Sequence, residues 1–239
     1  MQILNLESGT PFQMGKGKNW RVIHPDMGAQ QITLNHGLHQ PGQEFTQHFH
    51  DASEDMIVVL EGGGAMRQGN IYTPITAGEG LFVPAGEVHG TVNTTDEQAR
   101  LISFQAPPDM ALYRGERDKP NAMPSPPTGH RSNVQILNMA KAGPLFGKPG
   151  GWRSVISPEK GSQYLSLDYI QLESGEGFTH TVLSKESVYV LIAGSAVVKT
   201  DAQSRALGPR DVVFLKPNDS LSFTQTGTTR LALIHCWAV

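Results

Sequence analysis

The chain repeats itself. The tetrapeptide QILN at Gln2–Asn5 returns at Gln135–Asn138, and the pair Trp20–Arg21 returns at Trp152–Arg153. PGQEFT (Pro41–Thr46) is echoed by SGEGFT (Ser174–Thr179), and EDMIVVLEGGG, from Glu54, by ESVYVLIAGSA, from Glu186. The four matches keep one order and their offset drifts by a single residue. A period this long within 239 residues is a copied domain, not a solenoid unit. Whatever fold one half adopts, the other is expected to adopt. The expected division is 1–118 and 119–239. Between the two copies, six of the sixteen prolines fall in Pro107–Pro127. Proline fixes φ and withholds a donor, so this stretch reads as an irregular linker, with room for a short helix around Met110–Arg114.

Within each half the pattern is that of strands. MIVVLEGGGAMRQG gives an apolar run, a glycine turn and a return strand; GEGLFVPAGEVHGTVN gives Leu81–Val83, a Pro-Ala-Gly turn and the alternating stretch Val88–Asn93. RLISFQAP and RLALIHCWAV close the two halves as apolar strands, and no amphipathic helix of ten residues stands out. The expected class is all-β, a barrel or sandwich in each half. The EGGG and GEG pieces lack the Lys-Ser/Thr and following helix of a phosphate loop and read as turns.

Composition removes several function classes. The net charge is −3 and no Lys/Arg-rich stripe occurs, which argues against nucleic acid as a partner. No stretch of about 18 apolar residues is present, and MQILNLESGTPF lacks a secretory pattern, so no membrane and a cytoplasmic setting are expected. The single cysteine, Cys236, sits in an apolar run and reads as a buried, inert thiol.

The chemistry concentrates in HFHDASED, residues 48–55. Residues two apart on a strand share a face, so His48 and His50 present both imidazoles together. A carboxylate just after them, Asp55 or Glu54, supplies a third candidate ligand, and His89 is the only later histidine in that half. Thr46 shares the face of His48 and His50, and Thr91 and Asn93 share that of His89, making these three the candidate substrate-pocket residues. His24, His36, His39, His130 and His235 carry no motif and read as surface, loop or hydrogen-bonded histidines. No residue is singled out as catalytic.

These spacings resemble the two motifs of the cupin superfamily. Gly42, five residues, His48-x-His50, an acid and Gly62 resemble the first; Gly78, five residues, Pro84, Gly86, two residues, His89, three residues and Asn93 resemble the second. The resemblance implies two tandem cupin barrels (a double-stranded β-helix, or jelly roll) and a divalent metal held by three histidines and one acid. The family's acid is usually Glu, with six residues between it and the glycine. Here that register falls on Asp55, while the usual residue type stands one position earlier, at Glu54. Register favours Asp55, since a one-residue slip turns a side chain to the opposite face. The second half keeps His180, Glu186 and Gly194. It places Val182 where a second histidine would align and has no histidine near Leu221 or Ser222. That half is expected to be structural or partner-forming.

Three imidazoles and a carboxylate leave positions open on a six-coordinate ion, which suits a small substrate that chelates through oxygens. The resemblance therefore implies one divalent transition metal per chain, Fe or Mn favoured and Ni or Zn compatible. The expected activity is a metal-dependent, dioxygenase-type oxidoreductase. The alternatives are a non-oxidative isomerase, lyase or hydrolase, and a non-catalytic small-molecule-binding cupin. A homodimer is expected from exposed barrel edges and the apolar strands of the second half.

Overall fold

A computed structural model describes residues 1–118, 131–148, 151–200 and 203–239. His130 and much of the proline-rich linker lie outside these ranges. Each half is a seven-stranded antiparallel sheet packed on a four-stranded one. In the first half the larger sheet runs Gln135–Asn138, Glu79–Val83, Glu54–Glu61, Ala99–Ala106, Thr33–His39, Lys18–Ile23, Thr10–Phe12, and the smaller Glu44–His48, His89–Val92, Gly63–Gln68, Ile71–Thr76. The second half repeats both orders. Its larger sheet runs Gln2–Asn5, Asp211–Leu215, Ser187–Ala193, Leu231–Ala238, Leu165–Leu172, Trp152–Ile156, Gly143–Pro144. Its smaller sheet runs Gly177–Thr181, Ser220–Gln225, Ala196–Lys199, Ser204–Leu207. The fold is all-β, two jelly-roll barrels in one chain. The short helix Met110–Tyr113 follows the first barrel, and among the described residues no helix is long and apolar enough to cross a membrane.

The repeated QILN segments exchange places. Gln135–Asn138 pairs with Glu79–Val83 of the first half, and Gln2–Asn5 pairs with Asp211–Leu215 of the second. A cut between residues 118 and 119 therefore separates all strands except these two, each of which covers an exposed edge of the other copy's sheet.

The apolar runs are continuous, not alternating, because the large sheets are covered on both faces. One face lines its own barrel: Ile57, Val59, Leu81 and Leu101 in the first, Ile170, Leu191, Val213 and Leu233 in the second. The opposite faces meet between the barrels, where Met56, Val58, Phe104, Val188, Val190, Phe214, Ile234 and Cys236 form one buried cluster. The apolar strands of the second half, one ground for expecting a homodimer, are thus covered by the first half. Cys236 is fully buried there, and burial pushes its thiol pKa well up, which leaves it unreactive.

Two carboxylates lock this joint. Glu54 accepts hydrogen bonds from Ser162 Oγ (2.6 Å) and from the backbone N–H of Gln163 (2.7 Å) and Tyr164 (3.0 Å). Its copy Glu186 accepts from the N–H groups of Gln30 (2.8 Å), Gln31 (2.7 Å) and Ile32 (3.1 Å). Each half reaches across with the same residue. The glycine that ends each of these strands is obligatory: Gly62 has φ +69°, and a Cβ there would lie 2.5 Å from the carbonyl oxygen of Gln98.

Candidate metal centre

Four side chains meet inside the first barrel. His48 ends the strand Glu44–His48, His50 follows it, Asp55 lies on Glu54–Glu61 and His89 opens His89–Val92. All four are buried, and one ligand atom from each lies within 4.8 Å of the others. His89 pairs directly with His48, after which the register slips by a residue between His89 and Thr91. This bulge bends the strand at Gly90, where a Cβ would come 2.8 Å from Gln47 Cα; glycine lets the two ligand-bearing strands approach.

The second nitrogen of each ring fixes its tautomer. His48 Nδ1 donates to the Thr46 carbonyl (2.8 Å), His89 Nδ1 to the Glu87 carbonyl (2.9 Å) and His50 Nδ1 to Asp109 Oδ2 (2.6 Å). With the proton on Nδ1, all three Nε2 lone pairs point inward. His48 Nε2 is buried without a hydrogen-bond partner. Asp55 is held by Ser103 Oγ on Oδ1 (2.6 Å) and turns Oδ2 toward His89 Nε2 (3.3 Å) and His50 Nε2 (3.5 Å). Converging lone pairs beside a buried carboxylate are costly unless a cation lies between them. Ligands about 2.1 Å from an ion lie at most about 4.2 Å apart, so a small inward movement completes the shell. The donor set fits a divalent first-row ion.

Electrostatics agree. Burial lowers the His48 pKa well below its ordinary value, keeping that imidazole neutral. For Asp55 burial acts upward, but the adjoining His50 and His89 rings outweigh it and hold the carboxyl ionised. For His50 burial acts downward and is outweighed by Asp109 and Asp55, so its pKa rises above the ordinary 6.5. A metal must displace that proton. Apparent metal affinity should therefore rise with pH through the range above 6.5, by about tenfold per unit while one proton is displaced, and fall on acidification. Competition against a chromophoric chelator between pH 6 and 8 measures this slope.

Glu54 is not in the cluster. It points to the opposite face of its strand and accepts bonds from the other barrel, because neighbours on a strand face opposite sides. Of the three pocket candidates, Thr91 lines the cavity beside the cluster. Thr46 does not; it offers its carbonyl to His48. Asn93 donates to the carbonyls of His39 and Glu97 and accepts from the Thr95 N–H and hydroxyl, and so braces a loop.

That cavity, of about 40 Å³, is lined also by Asn35, His39, Ser103 and Gln105. Asn35, Gly37 and His39 alternate along one strand, a period-2 signal that could have placed His39 inside. Both His39 nitrogens are buried without a partner, and burial pushes its pKa to about 4. His36, by contrast, is a hydrogen-bonded core histidine between the Leu6 carbonyl (3.0 Å) and Arg100 (2.9 Å). Gln105 Nε2 stands 3.2 Å from His50 Nε2. Asp109 carries the outer shell: besides His50 it receives Arg117 Nε (3.0 Å) and caps Met110–Tyr113 through the N–H of Ala111 (2.8 Å) and Leu112 (3.2 Å).

In the second barrel the equivalent of His89↔His48 is Leu221↔His180, and Ser187 occupies the register of Asp55. Val182 fills the place of His50. Apolar and hydroxyl side chains replace three of four ligands.

Known proteins agree with this architecture. The family model of the cupin domain matches residues 37–104, and that of the KduI/IolB family matches 147–235. The protein Ylba of E. coli superposes with a TM-score of 0.77 over 99% of this chain and 90% of its own, at 13% identity. Bacillus subtilis oxalate decarboxylase, a protein with Mn(II) centres, superposes with a TM-score of 0.71 over 99% of this chain and 76% of its own, also at 13% identity. The tetracenomycin polyketide synthase protein TcmJ of Streptomyces glaucescens is 27% identical over 143 residues, 59% of this chain and 87% of the relative. With a cupin domain matched in its first half, both halves folded as barrels and a four-residue candidate metal site in the first, the chain has the two-barrel cupin fold.

Proposed function

We propose that the protein is a metal-dependent enzyme acting on a small chelating oxygenated substrate, as a dioxygenase-type oxidoreductase using Fe or Mn. The observation that carries this reading is the inward convergence of three Nε2 lone pairs and one carboxylate beside a small, partly polar cavity. A divalent ion there supplies Lewis acidity and, if redox-active, a place for O₂ beside the substrate. The chain's own groups do the rest. Ser103 and Asp109 hold Asp55 and His50 in place. Gln105 and Asn35 offer hydrogen bonds to a substrate oxygen, and the neutral His39 accepts one from a hydroxyl. About 40 Å³ admits only a few water-sized groups, so the substrate would present a compact chelating end such as an enolised 1,3-dicarbonyl or a catechol. The similarity to a polyketide synthase protein supports that class, since polyketide chains are runs of 1,3-dicarbonyl units.

The test is oxygen uptake by Fe(II)- and Mn(II)-loaded protein with 1,3-dicarbonyls and catechols. Stoichiometric O₂ consumption with substrate loss is expected. Turnover that proceeds equally without O₂, or with Ni or Zn, would replace this reading with a non-oxidative isomerase, lyase or hydrolase. Metal-dependent binding without turnover would make the protein a binding cupin.

A further inference from the structure

The second barrel has lost three of the four metal ligands but not its interior. A cavity of about 400 Å³ opens into it, within the range of small-molecule sites, against about 40 Å³ beside the metal cluster. Its walls are aromatic. Tyr189 stacks on His235 (4.2 Å between centroids, 8° between planes) and His235 on Trp237 (4.6 Å, 22°), while Trp152 meets Phe178 edge-on at 4.9 Å.

Three polar atoms in these walls are buried without a hydrogen-bond partner: Asp168 Oδ1, His235 Nδ1 and Trp152 Nε1. Asp168 is 1% exposed, Trp152 3% and His235 6%. Asp168 Oδ2 and His235 Nδ1 stand 3.7 Å apart, too far to satisfy each other. Neighbouring polar atoms are satisfied, with Tyr189 bonded to His180 Nδ1 (2.7 Å) and Ser187 to His235 Nε2 (2.7 Å). The three unpaired atoms all belong to residues that line this one cavity. Buried polar atoms left unpaired are destabilising, so three of them in the walls of one cavity point to a ligand that pairs them.

We propose that the second barrel is a metal-independent binding site for a hydroxylated aromatic molecule. A flat ring matches the Tyr189, Trp237 and Phe178 walls. A hydroxyl both donates and accepts, so it pairs with the Asp168 carboxylate and with the Trp152 N–H, which a pure donor or pure acceptor cannot do. Lys148, whose Nζ lies 5.0 Å from the Trp152 ring centroid, disfavours a cationic ligand and favours an acidic substituent near the mouth. Burial raises Asp168 to about 7, so it can pair with a hydroxyl in either protonation state. The site is independent of the metal centre and of the reaction assigned to it.

The experiment is calorimetric titration and ligand-observed NMR with 4-hydroxybenzoate and 6-hydroxy-2-naphthoate, using naphthalene-2-carboxylate as the hydroxyl-free control. The protein is used both metal-loaded and chelator-treated. Saturable binding of at least one hydroxylated probe is expected, at least fivefold tighter than the control and unchanged by metal removal. Asp168→Leu should weaken it about tenfold while holding or raising the melting temperature, because it removes a buried carboxylate that lacks partners. Trp237→Leu, at the half-buried wall, should weaken it as well. The proposal is overturned if neither hydroxylated probe binds saturably, or if binding disappears with the metal, which would place it in the first barrel. Binding that ignores both substitutions would overturn it too.

Discussion

Replacing Asp55 by alanine should empty the metal centre, while the same change at its neighbour Glu54 should leave the metal in place and loosen the protein. Asp55 is the only carboxylate in the cluster, with one oxygen fixed by Ser103 and the other turned to His50 and His89. Without it, three neutral imidazoles face the ion and no carboxylate remains among the ligands. Metal content should fall from near one equivalent to below about a tenth. Glu54 instead receives three hydrogen bonds from residues 162–164 of the other barrel. Its truncation strands the backbone N–H groups of Gln163 and Tyr164 at the joint, while the Ser162 hydroxyl keeps the Leu165 carbonyl, and should cost about 2–4 kcal/mol in a urea titration. Metal analysis and unfolding of both variants separate the two roles. If Glu54→Ala lost the metal and Asp55→Ala kept it, the register assigned to this strand would be wrong.

The second large effect is expected at Asp109. Asp109→Asn keeps the size of the side chain, but with its one oxygen kept on the helix cap at Ala111 and Leu112 the amide NH2 replaces the oxygen that accepts from His50 Nδ1 and Arg117 Nε, so both of those bonds are lost. Outer-shell partners of ligating histidines set ring orientation and basicity, and their loss typically weakens metal binding 10- to 100-fold. A drop of that size by chelator competition is expected, with little change in melting temperature. An unchanged affinity would mean that the barrel alone orients His50.

What could be read from the chain was what lies close together in it. The strands and the shared face of His48 and His50 follow from short-range spacing, because a strand's period of two sorts side chains by face; the duplication shows in repeated segments, and the candidate set His48, His50, Asp55 and His89 is the one the cupin resemblance implies. The same rule favoured Asp55 over Glu54, although it could not say what Glu54 does. That role depends on Ser162–Tyr164, 108 to 110 residues away. The exchange of the QILN strands was equally hidden: the segments are identical, and nothing local says that each pairs with the opposite copy. Asp109 lies 59 residues from His50, within the proline-rich stretch that reads as linker. Asn93, placed in the pocket by alternation, misses it because its amide is used to tie the loop at Thr95 and Glu97. The aromatic cavity of the second barrel went unseen because a motif read for metal ligands records only their loss. Trp152, Phe178, Tyr189 and Trp237 come from four separate strands and meet only in the fold.

The central claim is that one divalent ion sits between His48, His50, Asp55 and His89, and anomalous diffraction from crystals grown with Mn(II) tests it most directly. A single peak in the first barrel is predicted, roughly 2.0–2.3 Å from the three Nε2 atoms and from Asp55 Oδ2, with none in the second barrel. A peak held by Glu54, a peak in the second barrel, or no peak at saturating Mn(II) would contradict it.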